Sequence, residues 1–441
     1  MFLDNYLAKA SKNAENYTFA FMKQNDPIAV FWFRRDLRIH DNTALFFALT
    51  SGLKVLPVFI FDTEILKSLP RDDKRVSFIY QSLLHINNLL AAQNTAVQIF
   101  NGVPADVFRQ ISDSYNVQMV FANHDYEPYA IERDQKVQAI LSEKGISFHT
   151  FKDQVIFEKS EVVKPGGDPY TVFTPYSHRW LEKLNNSAES LKRMESENFL
   201  FNLLPAENEF QFQLDDIGFS EAENIFKPFQ LNGSLLKSYD KTRNYPALDT
   251  TSRAGVHLRF GTVSIREMVS EARNLNETWL HELIWREFFM QILWHFPYVV
   301  HEPFKQKYRF IRWQNDEKLF ECWCKGMTGY PLVDAGMREL NATGFMHNRV
   351  RMVTASFLVK HLLVNWQWGE AYFAEKLLDF DLSANNGNWQ WAAGTGCDAA
   401  PYFRIFNPAS QADKFDEQGF YIRKWVPEYG TASYPSTVVD H

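Results

Sequence analysis

Cysteine is scarce: Cys322, Cys324 and Cys397 are the only three thiols in 441 residues. That is too few for a disulfide framework, and a lone C-x-C without companions makes no metal site. The three read as reduced structural thiols, and no metal is expected. No apolar run approaches the length of a membrane span. The opening MFLDNYLAKASKNAENYTFAF carries an early acid and no apolar h-region, so it is not a secretory signal. These absences describe an enzyme of a reducing, cytoplasmic compartment. G-x-G-x-x-G and the P-loop, the two common nucleotide fingerprints, are also missing. Positive charge is in deficit: with a net charge of -7, any nucleic-acid partner has to be held by a local basic patch.

What the chain has in excess is aromatic rings. Its 12 Trp and 39 Phe bring the aromatic fraction to 16%, more than a core needs, and such rings also stack on planar ligands and bases. The length implies two or three domains. From about residue 28, short β-branched runs (IAVFWF, KVLPVFIF, VQIF, QMVFA) alternate with amphipathic stretches such as SFIYQSLLHINNLLAA and a charged helix from about Tyr129 to Glu143. That alternation predicts an α/β domain with a Rossmann-like parallel sheet over 28–155. Residues 156–220, with KPGGDP and a Trp-bearing helix around WLEKLNN, read as a connector across the surface. Over 221–441 the strand signals stop. Amphipathic segments such as TWLHELIWREFFMQILWHF and NRVRMVTASFLVKHLLVNW follow one another, which predicts an all-helical domain. Residues 1–27 form a leader, within which Met22 is a second candidate start.

Three helical stretches place polar groups beside rings. In HELIWREFF, Glu282, Trp285, Arg286 and Phe289 recur at three- and four-residue spacing and share a face. In MHNRVRM, Asn348, Arg351 and Met352 do the same. In LLDFDLSANNGNWQW, Asp379, Asp381, Asn385 and Asn386 crowd around a break in the helix. Each alone is more often a packing face, an ion pair or a cap. Their coincidence in one domain suits a planar cofactor whose edge needs amides and acids and whose charge needs arginine. The segment TSRAG adds small and hydroxyl residues suited to phosphate.

The strings FWFRRDLRIHDNTAL, TSRAGVHLRFGTVS, HELIWREFF, KGMTGYPLVDAGMRELNATGFMHNRVRMVTASFLVK and DLSANNGNWQWAAGTGCDAAPYFRIFNP resemble the photolyase/cryptochrome family, from about residue 28 to the C-terminus. Within it they are most similar to the class I cyclobutane pyrimidine dimer photolyases. The resemblance implies an N-terminal antenna domain, a helical domain holding FAD, and light-driven electron transfer from reduced FAD to a pyrimidine dimer flipped out of DNA. It further implies that Tyr239, Thr251 and Ser252 grip the FAD phosphates, that Trp279 and Arg286 close the pocket, and that Arg351 and Asp379 pair beside the isoalloxazine. Asp381 then faces the ring's pyrimidine edge and Asn385 faces flavin N5. Glu282, Asn348 and Met352 form the dimer-facing polar set, with Glu282 sharing a proton, and Trp285 and Trp391 are the stacking walls. Trp389, Trp366 and Trp313 match an electron-hopping chain to the surface. Arg243, Arg349, Arg404 and Lys414 would meet DNA phosphates at the pocket mouth.

Departures from the family pattern carry their own expectations. Phe345 stands where a tryptophan is common, and Tyr129 and Ala130 where folate-binding members carry an Asn-Glu pair, so the second antenna chromophore is not expected to be a folate. The chain stops at VVDH, where relatives continue into another helix. The implied partner is ultraviolet-damaged DNA, met by a monomer. The alternative is a cryptochrome-like blue-light photoreceptor, against which stand Asn385, Met352, Glu282 and Trp391. A (6-4) photoproduct enzyme would need a histidine pair, but His347 stands alone beside Asn348.

Overall fold

The structure, a computed structural model, describes residues 24–205, 212–399, 401 and 404–438. Most of the predicted leader, residues 1–23, lies outside the described residues. The first strand begins at Gln24, ahead of the boundary expected at residue 28.

Five strands form one parallel sheet: β1 (Gln24–Phe33), β2 (Lys54–Asp62), β3 (Gln98–Gly102), β4 (Tyr115–Asn123) and β5 (Ser147–Phe151), in the order β3-β2-β1-β4-β5. Parallel strands are covered by helices on both faces and therefore read as continuous apolar runs, which is the character of IAVFWF. The period of two divides that run cleanly. Ala29, Phe31 and Phe33 enter one core, and Ile28, Val30 and Trp32 enter the other. The second core is closed by helices Pro104–Ser114 and Pro128–Glu143, with Leu204 packed at its edge. The first continues through helix Lys74–Leu90 to Phe260 of the helical half.

After β5, all regular elements among the described residues are helical. Helix Glu277–His295 is apolar nearly all round, as befits a buried helix, and organises one helical core with Trp180, Trp279 and Phe288. Helices Pro331–Thr343, Asn348–Lys360, Trp366–Lys376 and Leu382–Ala393 build the other around Trp323, Phe357 and Trp389. The 156–220 segment is not the surface connector expected. Trp180 of helix Phe173–Asn185 is buried and its indole N–H donates to Glu287 at 2.5 Å, while the N–H groups of Ile156 and Phe157 donate to the same carboxylate at 2.8 and 2.9 Å. Glu287 needs these donors because it is sealed in the core, and burial pushes its carboxyl up to about 7. Farther along, Leu203, Leu214 and Phe219 fill the sheet's own core.

The two halves meet at the carboxyl ends of β1 and β4, where the strand order reverses. In open α/β sheets this switch point is a crevice. Here the loop after β1, Arg34 to Arg38, fills it with charge. Arg38 donates to Asp153 at 2.6 Å and to the Gly261 carbonyl at 3.0 Å, and Arg266 of the helical half donates to Asp153 at 2.9 Å and to the Asp41 carbonyl at 2.6 Å. Leu37 N–H donates to the Phe260 carbonyl at 3.0 Å. Gly261 sits at φ +64, and a Cβ there would lie 2.1 Å from the Arg35 carbonyl oxygen. Gly145, at φ +71, has nothing within 4 Å of the same position. Gly145→Ala should therefore cost only the left-handed backbone term, about 1–2 kcal/mol. Gly261→Ala should cost at least about 2 kcal/mol more, because two backbones must separate. Denaturant melts of the two variants measure the difference, and equal losses would contradict the close approach.

Candidate active site

A shallow cleft with a cavity of about 110 Å³ opens between helix Asn348–Lys360, the break after helix Trp366–Lys376, and helix Leu382–Ala393. The break follows Leu377, and Asp381 restarts the chain as a helix cap. Its Oδ1 accepts from the Ala384 N–H at 3.1 Å and from the Ser383 hydroxyl. Asp379, left in the break, forms a two-bond ion pair with Arg351 Nη2 at 2.9 and 3.1 Å. Arg351 is braced in turn by its Nε donating to the Met346 carbonyl at 2.7 Å and by the ring of Phe345, 5.8 Å from its guanidinium carbon. Gly255, in the helix entered from TSRAG, abuts this pair: a Cβ there would lie 2.8 Å from Asp379 Oδ2.

Two asparagines of the NNG stretch are held apart in function by their bonds. Asn386 Nδ2 donates to the Val299 carbonyl at 3.0 Å and its Oδ1 accepts from Gln390, so it is structural. Asn385 lines the cleft, and its Nδ2 donates to the Glu370 carbonyl at 3.1 Å. Burial pushes the nearby Glu370 carboxyl up to about 7, against the Asn386 and Asn385 amides that pull it down. Trp389 is buried edge-on to Phe373 at 5.0 Å and to Trp323 at 6.1 Å. Helix Trp366–Lys376 can approach this indole only because residue 369 is glycine, where a Cβ would lie 2.2 Å from the ring.

Flat apolar walls with an arginine–carboxylate pair, a second acid and an amide along one edge form a donor set for a polar-edged heteroaromatic ring. Comparison with known proteins settles the lineage. The family described as DNA photolyase matches residues 29–195, and the FAD binding domain of DNA photolyase matches residues 279–440. The deoxyribodipyrimidine photo-lyase of Vibrio cholerae is 38% identical, over 93% of this chain and 96% of its own length. The chain belongs to the DNA photolyase family. The structure of a class III photolyase from Agrobacterium tumefaciens is 31% identical with a TM-score of 0.83, covering 97% of this chain and 96% of its own. A Synechocystis cryptochrome is 27% identical with a TM-score of 0.80, over 95% and 98%.

Of the residues expected from sequence, the cleft brings together Asn348, Arg351, Met352, Asp379, Asp381, Asn385, Trp389 and Trp391. Trp366 is buried in the core behind it and Trp313 packs half-buried at that core's edge. Trp279 lies in the other helical core. Tyr239 is half-buried beneath the Arg243 guanidinium at 5.4 Å, and Thr251 and Ser252 lie off the cleft wall in the loop leading to Gly255. Arg286, expected to close the pocket, donates to the carbonyls of Gln154 at 2.7 Å and Leu258 at 3.3 Å, and burial without a bonded carboxylate lowers it to about 10.

Glu282 is ion-paired with Arg243 at 2.5 Å, which joins two of the expected site residues to each other. Phe173 stacks on one face of Trp285 at 3.6 Å and 6°. The basic rim survives in another form. Arg349 donates to Asn244 at 2.7 Å and lies 4.4 Å over Phe415, which Lys414 also covers at 5.3 Å. Burial and the nearby charges of Arg243 and Arg404 all push Arg349 downward. Three cations close enough to repel one another form a local patch on a negatively charged molecule. At the antenna positions, the Tyr129 hydroxyl donates to Asp62 at 2.6 Å and Ala130 is buried.

His347, outside the expected set, caps the helix that carries Asn348, Arg351 and Met352, its Nδ1 accepting from the Arg349 N–H at 3.2 Å. Burial, with Arg351 and Arg349 adding to it, lowers this imidazole from 6.5 to about 4. Burial lowers His257 equally, to about 4. A histidine depressed on folding takes up its proton in the unfolded chain first. Its contribution is intact above pH 6.5 and is lost as pH falls from 6.5 toward 4. Glu287 and Glu370, raised by burial to about 7, act in the opposite sense over the same window, so the test is the difference between proteins: His347→Gln should lower the slope of stability against pH by up to one proton's worth, about 1.4 kcal/mol per pH unit, relative to wild type, and an unchanged slope would contradict the depressed imidazole.

Proposed function

We propose that this protein repairs cyclobutane pyrimidine dimers in DNA, using light absorbed by reduced FAD held at the cleft. The observation that carries this reading is the cleft itself: the Arg351–Asp379 pair, Asp381 and Asn385 along one edge, Trp389 and Trp391 as walls, and a cationic rim. These residues fit FAD. When bound, the flavin supplies a photoexcited electron that opens the cyclobutane ring and then returns, so no net redox change occurs. The Arg351–Asp379 pair, Asp381 and Asn385 would hold the polar edge of the ring system, and Tyr239, Thr251 and Ser252 would hold the phosphates from the loop that Gly255 presses against Asp379.

The dimer would enter between Trp391 and Trp285, with Asn348 and Met352 beside it. Arg349, Arg404 and Lys414 meet the flanking phosphates, and lesion choice comes from shape and easy extrusion, not from base sequence. Arg243 links the two events. By exchanging Glu282 for a DNA phosphate it would free the carboxylate to face the lesion. Trp389, Trp366 and Trp313 would form the path by which electrons reach the cofactor from the surface. The reading includes a monomer acting in the cytoplasm, with a second chromophore other than folate. The likeness to a cryptochrome supports a second reading, a blue-light receptor on the same fold. Repair of a dimer-containing oligonucleotide under blue light separates the two.

Trp389→Phe should abolish photoreduction of oxidised FAD while chemically reduced protein still repairs, because only the delivery path is cut. Normal photoreduction in the variant would remove Trp389 from that path. Glu282→Ala should lower repair per absorbed photon several-fold. Affinity for dimer-containing DNA should hold or rise, since Arg243 is released from its ion pair. Unchanged yield in that variant would exclude a role for Glu282 after electron arrival.

A further inference from the structure

The acid assigned to the flavin's edge is held from the other domain. Arg35, in the loop after β1, is almost wholly buried. Its Nη2 donates to Asp381 Oδ2 at 2.5 Å, its Nη1 to Glu127 at 2.9 Å and Asp125 at 3.0 Å, and its Nε to the Arg259 carbonyl at 3.3 Å. Arg259 adds a longer contact to the same Asp381 oxygen at 3.4 Å. Because Oδ1 is already committed to the cap of helix Leu382–Ala393, both oxygens of Asp381 are clamped. The Asn385 N–H donates to the Asp381 carbonyl at 2.8 Å, so the clamp also fixes the first turn that carries Asn385. Burial alone would raise Asp381. The nearby guanidiniums, Arg35 first and then Arg259 and Arg286, overturn this and keep it well below the usual carboxylate range.

We propose that Arg35 is a positioning residue for the cofactor: the α/β domain reaches across the junction through it to fix the orientation and charge of Asp381 at the cleft. This rests on the assignment of Asp381 to the flavin. The chemistry requires such a cation. Fully reduced FAD is an anion, and an ionised Asp381 beside it is tolerable only if its charge is offset close by. A lysine would place one point charge, whereas the planar fork reaches three carboxylates and a carbonyl at once. The clamp makes cofactor affinity depend on the seating of the two domains.

The test uses full-length protein and four substitutions: R35Q, R35K, D381N and R35Q/D381N. R35Q should weaken the ratio of reduced to oxidised FAD affinity about tenfold, a midpoint potential about 30 mV more negative for a two-electron couple. R35K should recover the potential while its apoprotein melts earlier than wild type, since charge returns without the fork. In the D381N background, R35Q should change FAD affinity less than threefold, because the residue through which it acts is gone. If R35Q alone does not fold, the R35Q/D381N against D381N comparison carries the test, the two uncompensated charges having been removed together. Wild-type potential and FAD affinity in folded R35Q, or an undiminished R35Q effect in the D381N background, would overturn the proposal. D381N with wild-type FAD affinity would sink the assignment of Asp381 and this inference with it. Weakened D381N beside unchanged R35Q would sink this inference alone.

Discussion

Much of this molecule depends on one buried lattice of arginines and carboxylates at the domain junction. Arg34, Arg35 and Arg38 leave the end of β1 and meet Asp134, Asp125, Glu127, Asp153 and Asp381, while Arg259 and Arg266 come from the helical side to the same acids. Such networks contribute little net stability, because desolvation consumes most of the Coulomb attraction. What they impose is geometry. Removing one member strands its partners, at about 3–5 kcal/mol, so alternative seatings of the domains are disfavoured. Gly261 enforces the same seating sterically, by letting one backbone touch the other where no Cβ fits.

The cleft inherits its precision from that junction and from glycines inside helices. Gly387 lies one turn into helix Leu382–Ala393, where a Cβ would lie 2.1 Å from the Phe289 ring, and Gly369 does the same service against Trp389. Helical glycine costs about 1 kcal/mol in propensity, and here the return is close approach of helix to helix. Asn385, Trp389 and Trp391 thus point where they do because their helix is pinned at its start by Asp381, along its side by Phe289 and at its end by Gln390, which accepts from the Phe304 N–H at 2.8 Å.

Length and apolar character made the architecture legible in the sequence: the four short apolar runs became β1 to β4 and the 3.6-residue stripes became helices, while β5, whose SFHTF is mostly polar or exposed, carried no such signal. The connector was misread because its burial depends on Glu287, a residue more than a hundred positions away whose acceptor role no local pattern announces. The cleft residues supplied by MHNRVRM and LLDFDLSANNGNWQW were readable because they sit on adjacent turns. Arg35, Arg259 and Glu370 were not, since each acts through a partner remote in sequence and a charged residue in a loop ordinarily faces water. Glu282 and Arg243 were seen singly but not as a pair for the same reason.

Charge is the remaining constraint, and it explains how a molecule of net charge -7 can be reconciled with a polyanionic substrate. Most arginines of the junction are spent on carboxylates and exert little field outside. At the rim, Arg349 faces an amide and a ring rather than an acid, and Arg404 is exposed, so their field is uncompensated. Only Arg243 is held in reserve by Glu282. An electrostatic surface built this way is weakly attractive to DNA in general and gains a cation where a phosphate can displace a carboxylate. Glu282 and Arg243 satisfy each other in the free protein, so a phosphate that took Arg243 would leave that carboxylate without its partner.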